Sequence, residues 1–448
     1  MNSTELFSKT SPLKLFFIAS IPGAISMFAS ALYYTIEGIF VGHYLGSTAF
    51  AALNLALPFV IINFSLADLI GVGSSVPISI YLGKGKRIKA DNIFTCACIM
   101  ILLAGIIIGG VLYFSAPLLI RLMGADGDFA RHAVQYLRVY ALCSPLTTIL
   151  FAVDNYLRIC GYIRGSLFIN IFMSLLSTVL EFIFLGIFGW GIWGAALGTC
   201  LGMATCSVIA FIPFFRGKAL LHFRKPIFSL KMIRRIIACG SPNFLNNIAG
   251  RLTSIILNFI LVRMGGETAV SVYGILMFAE GLIQPLLYGM CDALQPAVGY
   301  NFGAGKYSRV RAIEKCCFTS SAVISFLAVI LIFSLPELLT RLFVPDPGPD
   351  IIKMSVFALR LFAFTYVTRW ISFATQSFML AIGNPKPATV ISVSTAIVFP
   401  VILIVVLSPL GLTGIWMIFA ATAFLSAVLA LIILKRNLNK VQLPDTVA

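Results

Sequence analysis

Runs of mostly apolar residues recur about twelve times along this chain, each close to or beyond the ~20 residues a helix needs to cross a bilayer. They lie near 12–42, 49–82, 92–116, 130–157, 163–188, 190–215, 231–262, 269–300, 310–336, 351–380, 386–408 and 411–434. Only 11% of the 448 residues are charged. A soluble surface takes roughly a quarter. Most of this chain must therefore face lipid. The expected fold class is an all-α membrane protein with twelve transmembrane helices.

The net charge of +16 would suggest a nucleic-acid partner in a soluble protein. Its placement argues against one. Of 32 Lys and Arg residues, 23 fall at the termini and in the segments after the even-numbered spans. The segments after the odd-numbered spans, such as 43–48, 188–191 and 408–413, are short and nearly neutral. By the positive-inside rule both termini and the basic stretch 216–235 face the cytoplasm. The expected location is the inner (plasma) membrane, crossed many times.

The chain also repeats itself. A shift of 220 aligns Pro22 with Pro242, Gly46 with Gly266, Ala49 with Ala269 and Lys86 with Lys306. The same shift lays Leu-Leu-Ile-Arg-Leu (118–122) over Leu-Leu-Thr-Arg-Leu (338–342), and a shift of 222 pairs Gly161 with Gly383. Chance likeness between apolar helices yields scattered Leu and Ile matches, not Gly, Pro, Lys and Arg at one offset. Two homologous six-helix lobes follow, 1–215 and 231–435, with a cytoplasmic linker at 216–230 and a tail at 436–448. Parallel repeats of this kind suit alternating access around a midplane cavity, a mechanism for moving solutes.

Catalytic chemistry has little to stand on. The two GxGK stretches lack the G-x-x-x-x-G-K-[ST] spacing of a phosphate loop and follow a span instead of a strand. No ATPase domain fits elsewhere, so energy must come from an ion gradient or the substrate's own. No Ser-His-Asp set and no His cluster occurs, and the ten cysteines form no C-x-x-C pair. Neither an enzyme nor a cofactor is expected; the coupling species would be H+ or Na+.

Acids inside spans carry the information, because a charge in hydrocarbon is expensive and rarely kept without use. They are Glu37, Asp68, Asp154, Glu181, Glu280 and Asp292. Depth sorts them. Glu37 and Glu181 sit in the outer third of spans 1 and 5, Tyr136 near that level in span 4, and Thr199 within reach in span 6. Two carboxylates sharing a desolvated site make a proton site usable near neutral pH. The plainer alternative is a pair of hydrogen-bonded structural carboxyls. Asp154 lies more than ~20 Å deeper at ~1.5 Å per residue. With Arg158 at i+4, a local ion pair is the easier account of it. Asp68, Arg251, Glu280, Gln284 and Arg369 either line a polar substrate cavity or pair off.

These motifs resemble the multidrug and toxic-compound extrusion (MATE) family of secondary transporters over nearly the whole chain. Ile-Glu-Gly-Ile-Phe-Val-Gly (36–42) resembles its first-span signature, and Asp-Asn-Tyr-Leu-Arg-Ile-Cys-Gly (154–161) its fourth-span end. Gly-Trp-Gly-Ile-Trp-Gly-Ala-Ala-Leu-Gly-Thr (189–199) is similar to the start of the sixth span. The most specific is Gln-Pro-Ala-Val-Gly-Tyr-Asn-Phe-Gly-Ala-Gly-Lys (295–306), at the eighth. The resemblance implies export of amphiphilic, often cationic compounds in exchange for H+ or Na+. It also implies ion coupling through Glu37 and Glu181, where bacterial members usually have Asp, with Ser177 where Asn is common. The acids some relatives use in spans 7 and 10 have no counterpart here. Tyr136, Thr199 and Asp154 complete the expected coupling set. A small-molecule substrate, the coupling ion and the bilayer are the expected partners, and the chain is expected to act as a monomer. A lipid-linked oligosaccharide flippase of related fold is the alternative, kept open by Arg251 and Arg369.

Overall fold

The computed structural model describes residues 3–343 and 348–437, and these fold almost entirely as helices. A short α1 (Ser3–Lys9) precedes α2 (Pro12–Gly46) and α3 (Thr48–Gly83). The first half continues through α4 (Arg87–Leu122), α5 (Gly127–Ile159), α6 (Ile163–Ile187) and α7 (Ile192–Phe215). The second half opens on α8 (Leu230–Gly303), then α9 (Tyr307–Ser334) and a short α10 (Pro336–Phe343). It closes with α11 (Pro349–Ala381), α12 (385–407) and α13 (Gly411–Asn437). The expected tail lies outside the described residues from 438 onward.

Helix is the only local solution here. Hydrocarbon offers no partner for a backbone N–H or C=O, so each segment must satisfy its own. α8 runs for 74 residues. That is about 110 Å at ~1.5 Å per residue, against a hydrocarbon core of ~30 Å. It breaks at Gly266, where φ is 61°, and its arms 230–265 and 267–303 cross separately. With both arms counted, the described residues make twelve crossings.

The duplication is written into the backbone as well. Gly46 and Gly266, Gly85 and Gly305, Gly161 and Gly383, and Gly191 and Gly411 all hold φ between 61° and 84°. Three of these pairs stand 220 residues apart and one 222. At the breaks of Gly46 and Gly266 a side chain would be strained, since L-residues avoid this region.

Two compact units emerge. One gathers the residues up to Thr10 with Ile25–Phe244; the other gathers Ser11–Ala24 with the chain from Leu245 onward. Each unit thus takes in the opening of a spanning helix from the other half of the sequence. Close contacts hold these pieces. In the second unit, Gly23 lies so near α8 that an added Cβ would meet Gly289 O at 2.3 Å. In the first, a Cβ on Gly240 would meet Leu69 O at 1.9 Å. The stretch after α7 is also held within the first unit. Asn92 Nδ2 donates to Ile227 O at 2.9 Å, and Ile227 N donates back to Asn92 Oδ1 at 2.8 Å. His222 N donates to Asp91 Oδ1 at 3.0 Å, so this basic linker is strapped along α4.

Backbone-to-backbone contact of this kind leaves no flexible atom to move aside. Gly289→Val should lower the thermal midpoint of the purified protein by about 5 °C or more, as over-packing costs ~1–3 kcal/mol. Gly110→Ala, whose Cβ would meet nothing within 4 Å, should not lower the midpoint in the same melting assay.

Candidate functional site

Four helices of the first unit bring their acids and hydroxyls to one buried point. Glu37 comes from α2, Tyr136 from α5, Glu181 from α6 and Thr199 from α7. Tyr136 Oη donates to Glu37 Oε1 at 2.6 Å. Thr199 Oγ1 stands 2.6 Å from Glu181 Oε1 and 3.4 Å from Glu37 Oε1. A hydroxyl has one proton to give, so the two carboxyls compete for it. Glu37 is 1% exposed and Glu181 0%.

Two members of the cluster escape a reading of the sequence by depth. Tyr33 Oη donates to Glu181 Oε1 and also hydrogen-bonds with Thr199 Oγ1. Tyr140 Oη lies 3.4 Å from Tyr136 Oη. Each stands one helical turn from a residue already singled out, Tyr33 before Glu37 and Tyr140 after Tyr136. The i±4 spacing was the available signal.

Glycines make the close approach possible. A Cβ on Gly198 would meet Glu181 N at 2.8 Å, and one on Gly202 would meet Ser177 Oγ at 2.1 Å. These two glycines, four apart on α7, let α6 press its polar face inward, the small-residue packing usual between membrane helices. A π turn at Ile183–Ile187 begins two residues after Glu181. Such turns often mark functional positions.

Among the described residues no protein cation pairs with either acid. Ion pairs such as Lys9–Glu5, Arg131–Asp128, Arg158–Asp154 and Arg369–Glu280 all lie elsewhere. Glu181 Oε2 and Ser177 Oγ are buried with no hydrogen-bond partner. Two carboxylate charges held here without a counter-ion would be very costly. The arrangement can hold a proton, or a small cation that takes oxygen ligands.

Asp154 is elsewhere. Along α5 it is about 27 Å from Tyr136 at ~1.5 Å per residue. Its Oδ2 pairs with Arg158 Nη2 at 2.6 Å, and its Oδ1 accepts from Ser166 Oγ at 2.5 Å and Asn170 Nδ2 at 2.8 Å. That network ties α5 to α6.

The second unit holds a cavity of about 710 Å³, lined by Arg251, Glu280, Gln284 and Arg369 among others. Polar residues repeat along one face of each lining helix: Asn247, Arg251, Ser254 and Asn258 on the first arm of α8, and Thr365, Arg369, Ser372 and Gln376 on α11. Arg369 Nη2 pairs with Glu280 Oε1 at 2.5 Å. Asp68 does not line this cavity; it lies in α3, in the first unit.

The family model described as MatE matches residues 22–183 and again 242–406. The two matches begin 220 residues apart, the offset already present within the chain. Multidrug export protein MepA of Staphylococcus saprophyticus is 26% identical over 440 residues, covering 97% of this chain and 96% of that protein. MepA of Staphylococcus aureus is likewise 26% identical, over 441 residues and the same shares of both chains. A crystal structure of MATE in complex with MaL6 has a TM-score of 0.92 at 23% identity, covering 99% of both chains. A MOP superfamily transporter from Pyrococcus furiosus has a TM-score of 0.91, again at 23% identity and 99% of both. At that identity the structures speak for the fold alone.

Melting curves test the packing of the acidic site. Gly202→Ala should destabilise by about 1–3 kcal/mol through its clash with Ser177. Ser177→Ala should be nearly neutral, because its hydroxyl has no partner to lose. The double variant should regain about half of the Gly202→Ala loss, the signature of two coupled neighbours.

Proposed function

We propose, starting from the fact that this chain belongs to the MatE family, that it exports amphiphilic, often cationic compounds by antiport against H+ or Na+. The observation that carries this reading is the buried pair Glu37 and Glu181, ringed by hydroxyls and left without a protein cation. The membrane would be the cytoplasmic one, with both termini inside, as the 23 basic residues on one side imply. The working arrangement is a lobe at 1–215, a linker at 216–230, a second lobe at 231–435 and a tail at 436–448, acting as a monomer.

In this scheme the outward-open protein takes up the ion at Glu37 and Glu181. Oε1 of each carboxyl already accepts from Tyr136, Thr199 or Tyr33, and Oε2 of Glu181 has no partner. A proton on Oε2, or a sodium ion facing it, supplies the missing positive charge. Ion binding then lowers the affinity for the drug, and drug binding lowers that for the ion by the same factor. The ion leaves inward and the emptied site reloads substrate. Asp154, held by Arg158, Ser166 and Asn170, serves structure or gating between α5 and α6.

Cells that express the chain and extrude ethidium provide the assay. With proton and sodium gradients collapsed separately, efflux should disappear with one of them, which names the ion. Glu37→Gln and Glu181→Gln should each cut efflux at least about tenfold with expression unchanged, since loss of a few kcal/mol of ion coupling suffices. A variant that still extrudes ethidium at the wild-type rate under the same gradient would remove that carboxyl from the mechanism.

A further inference from the structure

Nine Lys and Arg residues fall outside the 23 that the positive-inside rule puts in the cytoplasm, and six of the nine crowd two corners of the chain. Arg121, Arg131 and Arg138 stand where α4 gives way to α5. Arg341, Lys353 and Arg360 repeat them at offsets of 220, 222 and 222, where α10 gives way to α11. The ring beneath the last arginine is copied as well. Arg138 lies over the Tyr113 ring, 5.0 Å from its centroid, and Arg360 lies over Phe333 at 5.6 Å. Those two rings are again 220 residues apart. Positive charge at this end runs against the bias that orients the chain, so a triad present in both halves needs a local reason.

In the first unit the triad lines an open cavity of about 380 Å³, together with Gln135 and Asp126. Asp128 pairs with Arg131 at 3.1 Å. Arg138 donates from Nε to Tyr113 O at 3.3 Å, leaving its Nη1 and Nη2 groups for a ligand. The Arg121 side chain is exposed, and among the described residues no hydrogen bond or ion pair engages its guanidinium. Three guanidinium charges against the carboxylates of Asp126 and Asp128 leave a surplus of one. An apolar stripe leads up α4 to this corner: Phe114, Leu118 and Leu122 are 81%, 60% and 75% exposed. Their spacing of four puts them on one face of the helix.

We propose that this corner binds an anionic phospholipid, its phosphodiester on Arg121 and Arg138 and an acyl chain along Phe114, Leu118 and Leu122. The planar fork of a guanidinium matches phosphate oxygens in shape and charge. One phosphodiester carries one negative charge, which is the amount the corner lacks. The choline of a zwitterionic lipid would bring positive charge back to it, so the corner selects for anionic lipid. A free phosphate offers the same oxygens but makes no use of the stripe. In the orientation proposed above, this is a lipid of the outer leaflet. The assignment needs only a chain that crosses a bilayer, and it stands apart from the exporter reading.

Phe114→Trp supplies a local reporter, because brominated acyl chains quench nearby indoles. The purified full-length variant is placed in vesicles of phosphatidylcholine and phosphatidylglycerol, with one lipid or the other brominated. The unsubstituted protein gives the background of the native tryptophans. Quenching should show phosphatidylglycerol held about fivefold more tightly than phosphatidylcholine, the worth of one basic residue beside a headgroup. Adding Arg121→Gln should at least halve that preference, and Arg121→Gln joined with Arg138→Gln should abolish it. Lys89→Gln, at the other end of α4, should leave it unchanged. Equal quenching by the two lipids, or a preference untouched by Arg121→Gln or surviving the double variant, would overturn the proposal. Titration calorimetry with inorganic phosphate covers the other source of the same chemistry. Heat that Arg121→Gln removes, without any lipid preference, would give the corner to free phosphate and sink the lipid assignment. Should the double variant fail to fold, Arg121→Gln alone decides, since its exposed side chain has no bond to lose.

Discussion

Hydrocarbon solvates neither a peptide group nor a charge, and every level of this protein answers to that fact. Each crossing closes its own hydrogen bonds as a helix. The bends that α2, α3 and α8 need are made at Gly46 and Gly266, where no Cβ stands in the way of a positive φ. Polar side chains collect where they can satisfy one another. Close helix contact therefore depends on bare backbone, as at Gly23 with Gly289 and at Gly198 with Glu181. Without hydrophobic attraction between helices in lipid, such contact and interhelical hydrogen bonds are what remain to hold a bundle together.

The two polar centres that result are not alike, although the halves are copies. In the first unit, two acids meet hydroxyls of Tyr33, Tyr136 and Thr199 and no base. In the second, two arginines share one acid around an open space. Duplication supplied one scaffold twice, and substitution gave its two interiors opposite charge surpluses. Under the proposed antiport, the two places would receive the ion and the larger solute separately. An effect of one ligand on the other then requires a conformational change that both of them bias.

Much of this arrangement could be read before any coordinates. Depth counted along the spans put Glu37, Tyr136, Glu181 and Thr199 at one level, because a helix converts residue number into height almost linearly. The i+4 spacing of Asp154 and Arg158 pointed to their local pair for the same reason. Angle about the helix axis is harder. Tyr33 and Tyr140 share the faces of Glu37 and Tyr136 and were passed over, and Asp68 was grouped with residues that turn out to belong to the other unit. Height places a residue; only packing places its direction.

The sequence by itself determined an all-helical membrane protein of twelve crossings built from one doubled unit. Hydropathy, loop charge and the 220-residue offset are local or periodic properties, and they survive without knowledge of how helices meet. Tertiary structure alone decided which polar groups on distant helices are matched. Glu280 pairs with Arg369 across the cavity; Oε2 of Glu181 is left over when Tyr33 and Thr199 both choose Oε1. It also decided that Ser11–Ala24 joins the second unit while the chain through Phe244 stays with the first. Such outcomes turn on ångström-scale approach between helices far apart in sequence, and no pattern within one helix contains that information.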